Sequence, residues 1–288
     1  MKPNIEIPSR LYKYRAFSDL TVRMLLLDEL FFADPITFND PLDSRPCLEP
    51  DLSEDKLDEL LGKLQQQRRD EEVENDLDYI NLKKRSDGEG ESLKQTVRRV
   101  FQEHFVRKIE VELIKRYDGG IFCLSERFDS TLMWSHYGDQ HKGICLGYSV
   151  SEAAKKDIHK VDYEQNDRLV KASDVVAMLA GDREAEQRID QAVLYRKAAD
   201  WEYEQEWRLI GKRGQQKNPL DLEEVTFGLK CSAEVKAVLV KAMKGRSHPV
   251  RFYEMKEKDS SFTLEKCDVN LEKLEKFPVC NHHESVSL

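Results

Sequence analysis

The sequence predicts an α+β fold, and three observations carry that prediction. Runs of strand length that alternate or stay apolar recur along the chain, as at residues 11–15, 120–125 and 143–148. Helical patterns of uneven length separate them, without the regular β-α-β alternation of a doubly wound sheet. Gly-rich phosphate loops of the G-x-G-x-x-G or G-x-x-x-x-G-K-[ST] type are absent, which removes the commonest nucleotide folds. With 288 residues, 40% of them hydrophobic, the chain can fill a large core. One domain is expected over residues 1–275, followed by a polar tail over 276–288.

Leu11-Tyr12-Lys13-Tyr14-Arg15 alternates and reads as a first strand, with Leu11, Lys13 and Arg15 on one face and the two tyrosines on the other. Ser18 or Asp19 can cap a helix through Leu30, whose apolar positions Leu20, Met24, Leu27 and Leu30 keep helical spacing. Asp34-Pro35 ends it or opens a short strand. Thr37 to Asp43 is a turn cluster, because Asn and Asp bond their own backbone and the residue before Pro avoids the helical region. From Asp51 to Glu91 the composition shifts to acids, Gln and Lys. Leu57, Leu60, Leu61 and Leu64 give that stretch a thin apolar stripe, which reads as a helical, partly flexible insertion with Ser86 to Glu91 as its linker. Ser92 with Gln95 makes a capping box for a long helix that Gly119-Gly120 can stop.

Gly120 to Ser125 is a buried strand by its unbroken apolar run, and Ser125 marks its exit. Ser130 or Asp129 opens a short helix over Leu132 to Gly138, and Gly143 to Tyr148 is a second buried strand. Ser151 to Lys160 reads as a short helix, Val161 to Tyr163 as a short strand, and Ser173 to Lys197 as a longer polar helical region. In Trp201-Glu202-Tyr203-Glu204-Gln205-Glu206-Trp207-Arg208-Leu209-Ile210 the first half is a loop or frayed helix end and the second half alternates as a strand. Trp201 and Trp207 are expected to be buried anchors. Residues 235–240, 250–255 and 262–267 each alternate or run apolar between turn signals and predict three further strands.

The most apolar run, from Met24 to Ala33, is interrupted by Asp28 and Glu29 and is too short to span a bilayer. Met1 to Asn4 lack a signal-peptide apolar core, so a cytoplasmic location is expected. The net charge of -9 argues against sequence-blind binding of nucleic acid by the whole surface; Lys230 to Arg251 is the best local basic candidate. Six scattered cysteines, without a C-x-x-C pair, read as free thiols packed among apolar residues. His136 and His141 match no metal pattern, and Cys280-Asn281-His282-His283 falls in the polar tail, so no metal is expected.

Three pieces stand out for chemistry. A strand-end arginine, Arg15 after Tyr14, suits a pyrophosphate, because its fork of donors matches phosphate oxygens and it never loses its charge. Ser125 follows an apolar strand. Glu204 and Glu206 are two apart and, if extended, point the same way. Each has a bland reading too: a surface arginine beside a core tyrosine, a turn-forming serine and two solvated acids.

In chain order these pieces resemble the R-S-E class of ADP-ribosyltransferases, in which the arginine strand, the serine strand and the E-x-E loop line one NAD cleft. Leu11 to Arg15, Phe38-Asn39-Asp40-Pro41, Cys123-Leu124-Ser125, Met133-Trp134-Ser135-His136-Tyr137, His141-Lys142-Gly143 and Trp201 to Arg208 together also resemble a widespread bacterial family of unknown function. Two departures stand: the serine motif reads Ser125-Glu126-Arg127 in place of S-T-S, and the gap to Glu204 is longer than usual. The combined resemblance implies an ADP-ribosyltransferase-like fold of two small facing β-sheets with flanking helices.

By the same resemblance Glu206 holds a ribose hydroxyl and stabilises the charge that develops when the nicotinamide-ribose bond of NAD breaks. Glu204 orients or activates the nucleophile, Arg15 with Tyr14 grips the phosphates, and Ser125 positions Glu206. Trp134, His136 and Tyr137 form a wall on which nicotinamide or adenine stacks. NAD would be substrate, and the acceptor protein, nucleic acid or water. Such a resemblance implies a role in bacterial conflict as a toxin or phage-defence effector, with an antitoxin or similar protein as a possible partner. Nucleotide binding without chemistry, and a protein-interaction module in which the Trp-Glu-Arg strand is only structural, remain the alternatives.

Overall fold

The computed structural model describes residues 6–66, 91–117, 119–165 and 167–277. Most of the expected linker, Ser86 to Gly90, lies outside the described residues, as do Cys280 and the rest of the tail after 277. The chain is α+β, and its contacts divide it into two compact units where one domain is expected. Unit 1 takes the described residues of Met1–Asp34, Gly119–Val161 and Asp200–Leu288; unit 2 takes those of Pro35–Asp118 and Asp162–Ala199.

Unit 1 is built on an eight-stranded sheet. Its strands in chain order are β1 (Leu11–Arg15), β4 (Gly119–Ser125), β5 (Ile144–Val150), β6 (Ile158–Lys160), β8 (Glu206–Lys212), β10 (Leu220–Phe227), β11 (Arg251–Glu257) and β12 (Leu264–Asp268), and they lie side by side as β12-β11-β10-β5-β1-β4-β8-β6. The resemblance implies two facing sheets, whereas here all eight strands join in one hydrogen-bonded order. That order has a weak point. β1 is in register with β5 along its whole length, from Leu11↔Tyr148 to Arg15↔Ile144, but with β4 only at Tyr12↔Ser125. Five strands therefore stand on one side of this seam and three on the other. A further ribbon pairs β2 (Glu29–Phe32) with β9 (Gly214–Lys217).

One face of the sheet carries the main core: Leu11 on β1, Phe122 and Leu124 on β4, Ile144 and Leu146 on β5, Trp207 and Leu209 on β8, and Val225 and Phe227 on β10. Three helices contribute residues to it, α1 (Asp19–Leu27), α7 (Ala233–Met243) and α8 (Leu271–Glu275). Ser18 caps α1 through the Thr21 amide. The helix stops earlier than its spacing suggests, because Asp28 adopts a left-handed conformation (φ 54°) and Glu29–Phe32 extends into β2. The run over 235–240, which predicts a strand, is the middle of α7. The Ser232 hydroxyl accepts from the Val235 amide and opens the helix, and a short apolar run has no period of its own to exclude one. The opposite face carries Tyr12, Tyr14, Cys145 and Met255, packed with Met133 and Trp134 of α4 (Thr131–His136).

Unit 2 pairs two short parallel strands, β3 (Cys47–Glu49) and β7 (Leu169–Lys171), with α2 (Glu54–Gln66), α3 (Glu91–Arg116), α5 (Ala172–Leu179) and α6 (Arg183–Leu194). Glu91 already belongs to α3, so Ser92 stands inside that helix and not at its cap. Leu57, Leu60, Leu61 and Leu64 are all buried, so the leucine stripe is part of a core. The α2 helix packs on α3 and α5, while Glu110 of α3 accepts the Leu48 amide at 2.8 Å. The polar helical region after Ser173 is two helices, divided at Gly181 by a positive φ of 94°. Residues 155–157 form one 3-10 turn leading straight into β6, so the helix expected over 151–160 and the strand over 161–163 both shift. Among the described residues no helix is long and apolar enough to cross a membrane.

Candidate functional site

The candidate site sits beside the seam of the unit 1 sheet, where the serine-ended strand pairs with the E-x-E segment. Residues 119–125 and 206–212 pair antiparallel along their full length, which sets Ser125 opposite Glu206 and Cys123 opposite Arg208. Ahead of β8 a 3-10 turn runs from Ala199 to Glu204, and Gln205 then takes a left-handed conformation (φ 44°). Such a conformation is costly for a residue with a Cβ and persists only where the surroundings fix it. Here they do. The Gln205 carbonyl accepts the Glu126 amide at 3.1 Å, its own amide donates to the Glu202 carbonyl, and Ser125 Oγ donates to the Glu204 carbonyl at 2.6 Å. Because of this kink Glu204 and Glu206 are not an extended pair. Ser125 locks the turn, and accepts the Arg127 amide, without touching the Glu206 carboxylate as expected.

Both acids are buried, each 3% exposed. A buried carboxylate needs partners, and the fold supplies them. Tyr137 donates its hydroxyl to Glu204 Oε1 at 2.7 Å. Arg208, fully buried, donates Nε to Glu206 Oε1 at 2.9 Å and Nη2 to Glu206 Oε2 at 3.1 Å, a bidentate pair along one strand. Trp207, on the other face, donates its indole N–H to Glu126 Oε1 at 2.8 Å.

Lys13, which sequence reasoning passed over for Arg15, is the β1 cation that reaches across to β4. Its stem leaves β1 on the Arg15 face, then crosses the seam: Nζ donates to the Cys123 carbonyl at 2.8 Å and lies 5.0 Å from the centre of the Phe122 ring. Burial holds the Lys13 ammonium below its ordinary pKa, and Arg15 beside it lowers it further, while Glu206 and Glu204 oppose the shift. Burial, reinforced by the Glu206 charge, pushes the Cys123 thiol well above its usual value. The signal for Lys13 was present, two residues before Arg15 in the same alternation.

Arg15 stands apart. The register that places Tyr12 with Ser125 puts Arg15 on the opposite face of the sheet from Ser125 and Glu206. Its Nη1 lies 2.9 Å from Met24 Sδ, and burial holds its guanidinium below the ordinary arginine value, opposed by Tyr148. Tyr14 is a core residue, its hydroxyl donated to the Arg127 carbonyl and its ring set edge-on to Trp134 at 5.1 Å.

The expected aromatic wall is also redrawn. Trp134 is completely buried and gives its indole N–H to the Phe128 carbonyl, so no ligand can stack on it. His136 is exposed, with its ring 6.2 Å from Tyr137 and 6.4 Å from Tyr203, and Tyr203 is 6.0 Å from Trp201. This chain of partly exposed rings continues from Tyr137, which bonds Glu204. Trp201 is half-buried, not a core anchor like Trp207.

The segment from α4 to β8 carries a family signature. Residues 133–209 match the family model described as protein of unknown function (DUF2971). The matched segment holds the His136-Tyr137 pair, the aromatic turn and the E-x-E-W-R run, whereas Lys13, Arg15 and Ser125 lie outside it. No curated protein and no solved structure matches the chain.

Proposed function

We propose that this chain is an ADP-ribosyltransferase-like enzyme that cleaves the nicotinamide-ribose bond of NAD, with Glu206 as the carboxylate that stabilises the developing oxocarbenium-like ribose. One observation carries the reading: the serine strand and the E-x-E turn meet in space, through the bond from Ser125 Oγ to the Glu204 carbonyl and the pairing of Ser125 with Glu206. Arg208 holds both oxygens of Glu206, so the carboxylate stays fixed and needs no reorganisation as ribose charge develops. Glu204, oriented by the Tyr137 hydroxyl, receives the proton of the incoming nucleophile. His136, Tyr137, Tyr203 and Trp201 offer the stacking surface for nicotinamide or adenine. Arg15, on the other face of the sheet, is left out of the ribose site. The acceptor is protein, nucleic acid or water, and the setting a bacterial cytoplasm in which the enzyme serves as a toxin or defence effector.

A second reading, nucleotide binding without chemistry, is favoured by the sealing of Glu206: at 3% exposure it meets a ribose only after its neighbours move. Incubating the pure protein with NAD while measuring bound NAD by calorimetry and free nicotinamide by chromatography separates the two. Nicotinamide release above a protein-free blank supports the enzyme. Binding without release selects the second reading, and neither binding nor release refutes both.

A further inference from the structure

Unit 2 holds a cavity of about 140 Å³ lined by Asp40, Asp43, Asp167, Arg168, Arg196 and Lys197, with Leu42, Gln165 and Ala198. The turn cluster from Phe38 to Pro41, which the seam site does not use, supplies one wall, and the segments before β7 and after α6 supply the other. Three carboxylates face three cations, so the walls are neutral in sum. What distinguishes them is an excess of directed donors.

Most of these charges are already satisfied. Asp167 takes Arg196 Nη1 at 2.9 Å and the Leu169 amide at 3.1 Å. Asp43 is buried 3.7 Å from the buried Lys197 ammonium and accepts the Ser44 hydroxyl. Asp40 Oδ1 accepts the Leu42 amide at 2.9 Å. Two donor groups are left over. Arg196 Nε–H is buried and has no partner among the described residues. Arg168 pairs with no carboxylate there, and reaches only the Arg45 carbonyl, at 3.5 Å. An orphaned buried donor is destabilising unless something occupies it, and two guanidinium groups beside one small cavity match a tetrahedral oxyanion. Ser44, next to the buried Asp43 of the wall, holds a left-handed conformation (φ 54°), a local strain of the kind that gathers at binding sites.

We propose that this cavity binds a phosphate group, with Arg196 and Arg168 as donors to its oxygens and Asp40 accepting a hydrogen bond from a P–OH of the protonated form. The volume decides the size class: a space of about 150 Å³ admits a benzene-sized group, so a phosphate fits within and the rest of any phosphorylated ligand stays outside. The acceptor decides between tetrahedral anions, because a phosphate monoanion has a P–OH to hydrogen-bond to Asp40 and sulfate has none.

The test is calorimetric titration of the full chain with inorganic phosphate, AMP and sulfate at matched ionic strength near pH 6, repeated on Arg168→Gln and Arg196→Gln. Phosphate or AMP should bind the wild type at least tenfold tighter than sulfate, and each substitution should weaken that binding tenfold or more. Arg168→Gln loses one long bond to a carbonyl and should fold, which keeps the test open if Arg196→Gln does not. Tighter binding of AMP than of inorganic phosphate would make the source a phosphomonoester, and the reverse would make it the free anion. Absence of phosphate binding at millimolar concentration, equal binding of sulfate, or phosphate binding unchanged in Arg168→Gln would overturn the assignment.

Discussion

Arg208→Met should destabilise unit 1 by about 3–5 kcal/mol, the cost of leaving a buried charge without its partner. The structure sets that magnitude. Arg208 is 0% exposed and Glu206 3%, and the two hydrogen bonds between them, 2.9 and 3.1 Å, occupy both carboxylate oxygens. Methionine keeps most of the side-chain volume and removes the donors, so the loss is electrostatic and not a cavity. Removing both charges together, in Glu206→Leu with Arg208→Met, should cost far less than the sum of the two single changes, giving an interaction energy of roughly 2 kcal/mol or more. Urea unfolding at pH 7 reads this directly. All three tryptophans, Trp134, Trp201 and Trp207, belong to unit 1, so their fluorescence reports that unit. With an m-value of about 2 kcal/mol/M, the Arg208→Met midpoint should fall by roughly 1.5–2.5 M. A single mutant within about 1 kcal/mol of wild type, or strict additivity in the cycle, would refute the claim that the pair is buried and interdependent.

Other outcomes follow from the same geometry. Trp207→Ala should cost about 3–5 kcal/mol by the same assay, since the ring is 2% exposed and its N–H is bonded, whereas Trp201→Ala at a half-buried site should cost clearly less. Lys13 is charged in both states below its lowered folded pKa, so its burial cost is carried in full there. Between that value and the 10.5 of the free side chain only the unfolded chain holds the proton, so wild-type stability should rise with pH relative to Lys13→Met; a pH-independent difference would contradict the buried placement. Cys145, fully buried with its thiol pushed well above the ordinary value, should resist a thiol reagent in the native protein while the partly exposed Cys47 and Cys267 react, as peptide mapping after alkylation would show.

The strands nearest the site were legible because their periods are unambiguous. Leu11 to Arg15 and Trp207 to Ile210 alternate, and Gly120 to Ser125 is an unbroken run, so β1, β4 and β8 fall where the pattern puts them. Strand β10 escaped, because the Asp221, Glu223 and Glu224 acids interrupt its apolar residues and a bulge between Leu222 and Glu224 breaks its alternation. The leucines of α2 read as a thin stripe, yet a stripe that narrow is enough when two helices cover it. At the site, sequence could bring Ser125, Glu204 and Glu206 under suspicion but not orient them. The left-handed Gln205 turns Glu204 away from the strand direction, and the single pairing of β1 with β4 leaves room for Lys13 to reach the Cys123 carbonyl. Neither is a property of local sequence: the turn is held by Ser125, 79 residues before Glu204, and β1 meets β4 from more than a hundred residues away across the seam.

The central claim is that Glu206 acts on the ribose of NAD, and the most direct measurement is nicotinamide release by wild type and by Glu206→Gln at saturating NAD, with NAD affinity measured in parallel. The amide keeps the size and removes the charge, so turnover should fall by about 10²-fold or more while affinity stays within a few-fold. Equal release by the two proteins would contradict the assignment.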